Sequence, residues 1–159
     1  MIAELSHFAL FVALIASFCQ AILPLYGSLA ARPPRAAWLM ASADMFTVIA
    51  GVTVLFAFSG LVWSFISSDF SVALVTNHSH SAKPLIYKIS GTWGNHEGSL
   101  LLWIVILVLF SMGLSFSRQQ INAVLKARVL AVQGIVTTAF LAFSLFTSNP
   151  FTRLDPAPV

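Results

Sequence analysis

Trp93-Gly94-Asn95-His96-Glu97-Gly98-Ser99 leads without interruption into Leu100-Leu101-Leu102-Trp103, and at that junction the chain passes from a polar to an apolar character. The polar half gathers an indole, an imidazole, a carboxylate and glycines at 91, 94 and 98, in a sequence that is only 8% charged. Beside lipid, a polar group must find a partner or reach water. The junction is therefore expected at a membrane edge, with a transmembrane helix beginning just after it.

Composition extends that reading to the whole chain. Of 159 residues, 58% are hydrophobic and 13% aromatic, and the mean hydropathy is +0.92. Ordinary soluble domains are about 45–50% apolar. An all-α integral membrane protein is expected, a single membrane domain over 1–159. One span needs roughly 20 apolar residues, and four runs qualify, at about 7–29, 39–65, 100–116 and 129–146. Between the second and third lies a long polar-apolar loop, 66–99, and after the fourth a proline-rich tail, 147–159. The chain opens Met1-Ile2-Ala3-Glu4 and its first basic residue is Arg32, so the first run lacks the positive leader of a signal peptide and reads as a retained span. A bundle this small buries little surface, which makes a larger partner or oligomerisation the expectation.

Charge sets the expected orientation. Arg32, Arg35, Arg118, Lys126 and Arg128 fall on one side of the four spans. Lys83, Lys88 and Arg153 share the other with Glu4, Asp69, Glu97 and Asp155. The positive-inside rule then puts both termini and the 66–99 loop outside. A net charge of +3 without a Lys/Arg cluster gives no nucleic-acid surface. The single Cys19, in an apolar run, excludes an intramolecular disulfide or a cysteine metal site.

Within the spans, Ser6, Ser17 and Gln20 show no single clear stripe and are read as donors of interhelical hydrogen bonds. Pro24 and Gly27 are expected to end or bend the first helix, and Ala30-Ala31-Arg32-Pro33-Pro34-Arg35 to form a turn. Asp44, close to the start of the second span, reads as a carboxylate favoured by the helix N-terminus and interfacial water.

His96-Glu97 invites the zinc motif HExxH, but Leu100 occupies the second ligand position, so the motif fails. His78 and His80 supply two donors, too few for a metal site. Nucleophile-elbow, phosphate-loop and dinucleotide patterns are absent. Trp93, Gly94 and His96 suit the axial ligation and flat faces of a haem, which keeps His96 as a cofactor-binding candidate. The simpler alternative is a helix-entry cap in which His96 and Glu97 satisfy free backbone N–H groups and Trp93 anchors the interface.

The stretch from Lys88-Ile89-Ser90-Gly91-Thr92 through Trp103 resembles the K-I-[ST]-x-x-W-G-x-H-E-G-S-x-L-L-W signature near the N-terminus of CcmF-type haem lyases of cytochrome c maturation, within the cytochrome c assembly superfamily. Glu4-Leu5-Ser6-His7-Phe8-Ala9-Leu10 is similar to that family's opening E-L-G-H-F-A-L. Asp69-Phe70-Ser71-Val72 matches its D-F-S-V, and Ser148-Asn149-Pro150-Phe151-Thr152-Arg153-Leu154 its S-N-P-F-x-R-L. The resemblance implies a multi-pass protein of the bacterial inner membrane or the mitochondrial inner membrane. It would act with machinery that accepts haem from a haem chaperone and joins it to the CxxCH cysteines of apocytochrome c, alongside apocytochrome-handling subunits.

Family members are several times longer. Their tryptophan-rich W-G-x-W-W-x-W-D segment and haem-binding histidines have no counterpart here, so the chain alone is expected to be inactive, one part of a split or truncated lyase whose haem is handled by the complex. No catalytic residue and no metal ligand is assigned. Trp93, Gly94, His96, Glu97, Gly98, Ser99 and Trp103 are expected to form a partner contact. The competing expectations are a small transporter or channel subunit for haem or another solute, and a non-catalytic assembly subunit.

Overall fold

A computed structural model describes residues 1–29, 33–117 and 121–154. Six helices follow in order: α1 (Ile2–Leu29), α2 (Pro33–Ile66), α3 (Ala73–His78), α4 (Leu85–Gly91), α5 (His96–Ser115) and α6 (Ala123–Phe146). Helices α1, α2, α5 and α6 are long and apolar enough to cross a membrane. The short α3 and α4 form the connection between the second and third of these, a segment whose helical content composition alone did not decide.

All four long helices begin earlier than the apolar runs suggested, because a helix satisfies its own backbone in the interfacial layer as well as in the hydrocarbon. Helix α2 begins at Pro33, ahead of the apolar run from about Leu39. The expected turn across the proline pair is thereby corrected: a proline in the first turn lacks an N–H that would be unbonded anyway. Ala30, Ala31 and Arg32 lie outside the described residues. Helix α6 begins at Ala123, where the Asn122 side chain accepts the Val124 N–H at 2.9 Å. Nor do Pro24 and Gly27 end α1, which runs on to Leu29.

The four helices share one repeat. In α1 the buried residues Ala3, Ser6, Leu10, Ala13, Ser17, Gln20, Pro24 and Gly27 alternate steps of three and four, with the buried alanines 9, 16 and 21 flanking that stripe. The same alternation holds for Thr47, Ala50, Val54, Ala57, Leu61 and Ser64 of α2, for Leu101, Ile104, Val108, Ser111 and Ser115 of α5, and for Ala127, Leu130, Gly134, Thr137, Leu141 and Ser144 of α6. This 3.5-residue period is that of knobs-into-holes packing. It also corrects the reading of Ser6, Ser17 and Gln20, which lie on one stripe hidden by the apolar Leu10 and Ala13 between them.

Small residues on that stripe let backbones approach closely. A Cβ added at Gly27 would lie 2.7 Å from Leu39 Cβ and 3.0 Å from Met40 N of α2. One at Gly134 would lie 2.8 Å from Ala21 N and 3.0 Å from Ser17 O of α1. Next to this crossing the Gln20 amide donates to the Leu130 carbonyl at 2.9 Å, the interhelical bond expected of it. The Ser6 and Ser17 hydroxyls, although buried, have no partner among the described residues.

At the end of the bundle away from the termini, Lys126 Nζ sits 2.8 Å from Asp44, whose carboxylate also accepts the Ser115 hydroxyl at 2.7 Å. Lys126 donates to the Ser115 carbonyl as well, at 2.9 Å. Asp44 therefore ties α2, α5 and α6 together; its role is structural, but since α2 starts at Pro33 it lies well past the first turns, and Lys126 and Ser115 hold the carboxylate in place of the helix N-terminus expected to do so.

The opposite end is closed by a clasp. Helix α2 stops in a Schellman turn, with Asp69 N–H bonded to Ser64 O at 2.9 Å, Ser68 N–H to Phe65 O at 3.3 Å, and Ser68 at φ 54°. The chain after α6 then returns across it. Val72 and Arg153 form an antiparallel bridge, with Ala73 N–H bonded to Thr152 O at 2.9 Å and Leu154 N–H to Ser71 O at 3.1 Å. Arg153 pairs with Glu4 and donates to the Ser71 hydroxyl at 2.7 Å. Asn149 Oδ1 accepts the Phe151 N–H at 2.9 Å, which turns its Nδ2 to donate to His7 Nε2 at 3.1 Å. Phe151, 4% exposed, plugs the gap beside the His7 ring.

Two outcomes are expected in detergent. Gly134→Leu should lower the thermal unfolding midpoint sharply, because backbone atoms of α1 cannot yield as a flexible side chain would; an unchanged midpoint would refute the close crossing. In the clasp, Phe151→Ala removes a buried ring at a cost of about 3–5 kcal/mol, whereas the half-exposed Arg153–Glu4 pair is worth about 0–1 kcal/mol. Limited proteolysis should therefore cut the tail of Phe151→Ala far faster than that of Arg153→Ala, and the reverse order would reject burial as the main force.

Candidate functional site at the start of helix α5

The turn between α4 and α5 is built by residues other than the titratable ones. Asn95 is extended at φ −130° and ψ 170°, and its Oδ1 accepts the Gly98 N–H at 2.7 Å, an N-cap of the usual kind. Its Nδ2 reaches back to the carbonyls of Gly91 at 2.9 Å and Thr92 at 3.3 Å. One side chain thus caps the new helix and holds the end of the old one. Gly98 follows from the same geometry, since a Cβ there would fall 1.6 Å from the Thr92 oxygen. Beneath the turn lies the fully buried ring of Phe65, 3.4 Å from a Cβ placed at Gly91. Lys88 on α4 fastens the assembly to the α2 Schellman turn through Ser68 Oγ at 2.6 Å.

The cap is thus Asn95, which corrects the expectation that His96 and Glu97 would satisfy the free N–H groups. The available signal was an asparagine one turn ahead of the apolar run from Leu100, with the acidic Glu97 in the first turn after it. With capping done by Asn95, the His96 and Glu97 side chains make no hydrogen bond or ion pair with the described residues. Glu97 lies in the first turn of α5, where the helix dipole favours an anion. His96 is exposed, as is Gly94, and Trp93 is 40% exposed. Going down α5, Ser99 donates to the His96 carbonyl at 2.9 Å and Trp103 is 63% exposed. His96, Ser99, Leu100 and Trp103 form, with Phe140 of α6, an open groove of about 340 Å³.

Of the expected contact residues, His96, Ser99 and Trp103 therefore share one face, Trp93, Gly94 and Glu97 rim the turn above it, and Gly98 alone is buried inside. His78 and His80 stand apart from them. The ring of His78 is bonded to Leu74 O at 3.1 Å, and that of His80 accepts the Ala82 N–H at 3.2 Å. As a haem site the groove does not fit: it offers one imidazole and one wall, whereas a pocket for a ligand of that size encloses most of its surface. The three other motifs of the resemblance meet at the clasp, where Glu4 and His7, Asp69 to Val72, and Asn149 to Arg153 bond to one another, directly beside this turn.

No family model matches the chain. The cytochrome c-type biogenesis protein CycK of Rhizobium meliloti (strain 1021) is 48% identical over 158 residues, covering 99% of this chain and 23% of that protein. Protein CcmF of Pseudomonas aeruginosa is 46% identical over 164 residues, covering 98% and 23%, and CcmF of Escherichia coli (strain K12) 38% identical over 156 residues, covering 98% and 24%. The solved structure of a cytochrome c heme lyase, CcmF, superposes with a TM-score of 0.86 at 26% identity, over 95% of this chain and 25% of that one. The chain spans about a quarter of the length of the relatives it matches. Sequence, helix order and three-dimensional course agree: over nearly its whole length the chain corresponds to the N-terminal part of the CcmF/CycK cytochrome c-type biogenesis proteins.

Proposed function

We propose that the chain is the four-span membrane component of a cytochrome c maturation haem lyase, helping to attach haem covalently to apocytochrome c together with the remaining, haem-binding part of the lyase. The observation that carries this reading is a match over 99% of the chain to a cytochrome c biogenesis protein, combined with an α4–α5 turn whose side chains are presented outward. Asn95 and Gly98 lock the backbone. The side chains of His96 and Glu97 make no hydrogen bond or ion pair with the described residues, and Trp93 and Trp103 are exposed. Such a division between scaffold and presented groups suits a contact surface.

The clasp and the α4–α5 turn face outside in this proposal, in the periplasm or its mitochondrial equivalent, where a haem chaperone and apocytochrome-handling subunits would be met. Supporting that orientation, Arg35, Lys126 and Arg128 lie at the end away from the clasp. The membrane is the bacterial inner membrane or the mitochondrial inner membrane. A transport path is less well supported, because the side chains of Gln20 and Asp44 are committed to Leu130, Ser115 and Lys126.

His96→Ala combined with Glu97→Ala should abolish most holocytochrome c formation, read by haem stain, while the amount of inserted chain stays at the wild-type level. Normal maturation in that variant would end the contact reading. Gly98→Ala is expected to act differently and reduce the amount of folded chain, because its methyl group overlaps the Thr92 carbonyl. Asn95→Ala, losing one cap worth about 0.5–2 kcal/mol, should show a milder version of the same defect.

A further inference from the structure

The outward faces of the spanning helices are not alike. Those of α1 and α6 carry large apolar side chains, such as Phe8, Ile15 and Phe18 on α1 and Val132, Phe143 and Phe146 on α6, which is what lipid tails accept. Helix α5 exposes large apolar side chains too, Trp103, Ile106, Leu109 and Phe110, but its row His96, Ser99, Trp103, Ile106, Phe110 and Gly113, in steps of three and four, begins on polar groups and ends on a glycine. Phe110 is 72% exposed, and one turn further on nothing lies within 4 Å of a Cβ placed at Gly113. The surface there is hollowed: a depression of about 550 Å³ around Ile106, Phe110 and Gly113 follows the groove of about 340 Å³ beside His96. The two hollows, with no lining residue in common, succeed each other along α5 as an interrupted furrow. A glycine exposed in the apolar part of a spanning helix, below a polar pair at the edge, is the pattern of a helix–helix seam and not of a lipid face.

Resting on the function proposed above, we infer that this furrow seats a transmembrane helix from the remaining part of the haem lyase. That helix sets a bulky apolar side chain over Gly113 and meets His96 at the membrane edge. The occupant is argued from length: about three-quarters of each relative lies beyond the part this chain matches, and it must pack somewhere on the four helices. The 3.5-residue period already used on every inner face continues on this outer one, so a further helix can join in the same way.

The test uses the chain expressed with the remaining lyase polypeptide. The photoreactive residue p-benzoylphenylalanine is placed at Ile106 or Phe110, with Phe18 on α1 and Val132 on α6 as controls. An adduct with a membrane helix of the remaining lyase from 106 and 110, and not from the controls, is expected. Adducts only with lipid, only with a second copy of this chain, or equally from all faces would overturn the inference. At Gly113 an added Cβ meets no described atom within 4 Å, so Gly113→Phe should leave insertion and thermal stability unchanged while co-purification of the remaining part falls about tenfold or more. If wild-type chain does not co-purify with that part at all, the proposed function fails; if it does and Gly113→Phe co-purifies equally well, only the furrow assignment fails.

Discussion

The approach of α1 to its two neighbours is the constraint on which the bundle depends. In lipid, burying apolar surface between helices brings no hydrophobic gain, because the tails are as apolar as leucine. What remains is dispersion over closely matched surfaces, and this falls away within a fraction of an ångström of gap. Gly27 against α2 and Gly134 against α1 bring backbone to backbone, and the alanines at 3, 13, 43, 50 and 57 continue the same narrow seam. Hydrogen bonding then adds direction: Gln20 can reach the Leu130 carbonyl only because Gly134, one turn further along α6, lets the two helices touch.

That crossing positions everything at the clasp end. The ends of α1, α2 and α6 converge there, so Glu4, the Schellman turn after α2 and the returning tail fall within reach of one another. Helix α5 arrives beside them through the Asn95 cap, and Phe65 supports the turn from below. The presented groups of the His96 face thus rest on a rigid base, although none of them contributes to it.

Number and order of the spans were legible in the sequence, because apolar runs long enough to cross a bilayer seldom occur outside membrane spans. The stripe through Ser6, Ser17 and Gln20 was not, since in a helix that is apolar on every side the inner face differs by residue size more than by polarity. Helix starts lie outside the apolar runs for a related reason. Hydropathy marks where lipid begins, whereas Asn122, Asn95 and Pro33 mark where the helix begins. In the candidate site the reactive-looking residues drew attention and Asn95 and Gly98 did not, because a cap and a steric clash exist only once the Thr92 carbonyl has been placed in space. The far-apart motifs gave no hint that Arg153 meets Glu4 or that Asn149 meets His7.

The clasp carries a consequence for the order of events during synthesis. Its parts come from residues 4–7, 69–73 and 149–154, so it cannot close until the segment after α6 has been made. It also requires these parts on the same side of the bilayer, a condition met only when an even number of helices has inserted. A chain that missed one span would leave His7 and Glu4 facing one compartment and Asn149 and Arg153 the other, with Phe151 uncovered. The clasp thereby acts as a parity check on topology, stabilising the product only when every span is counted.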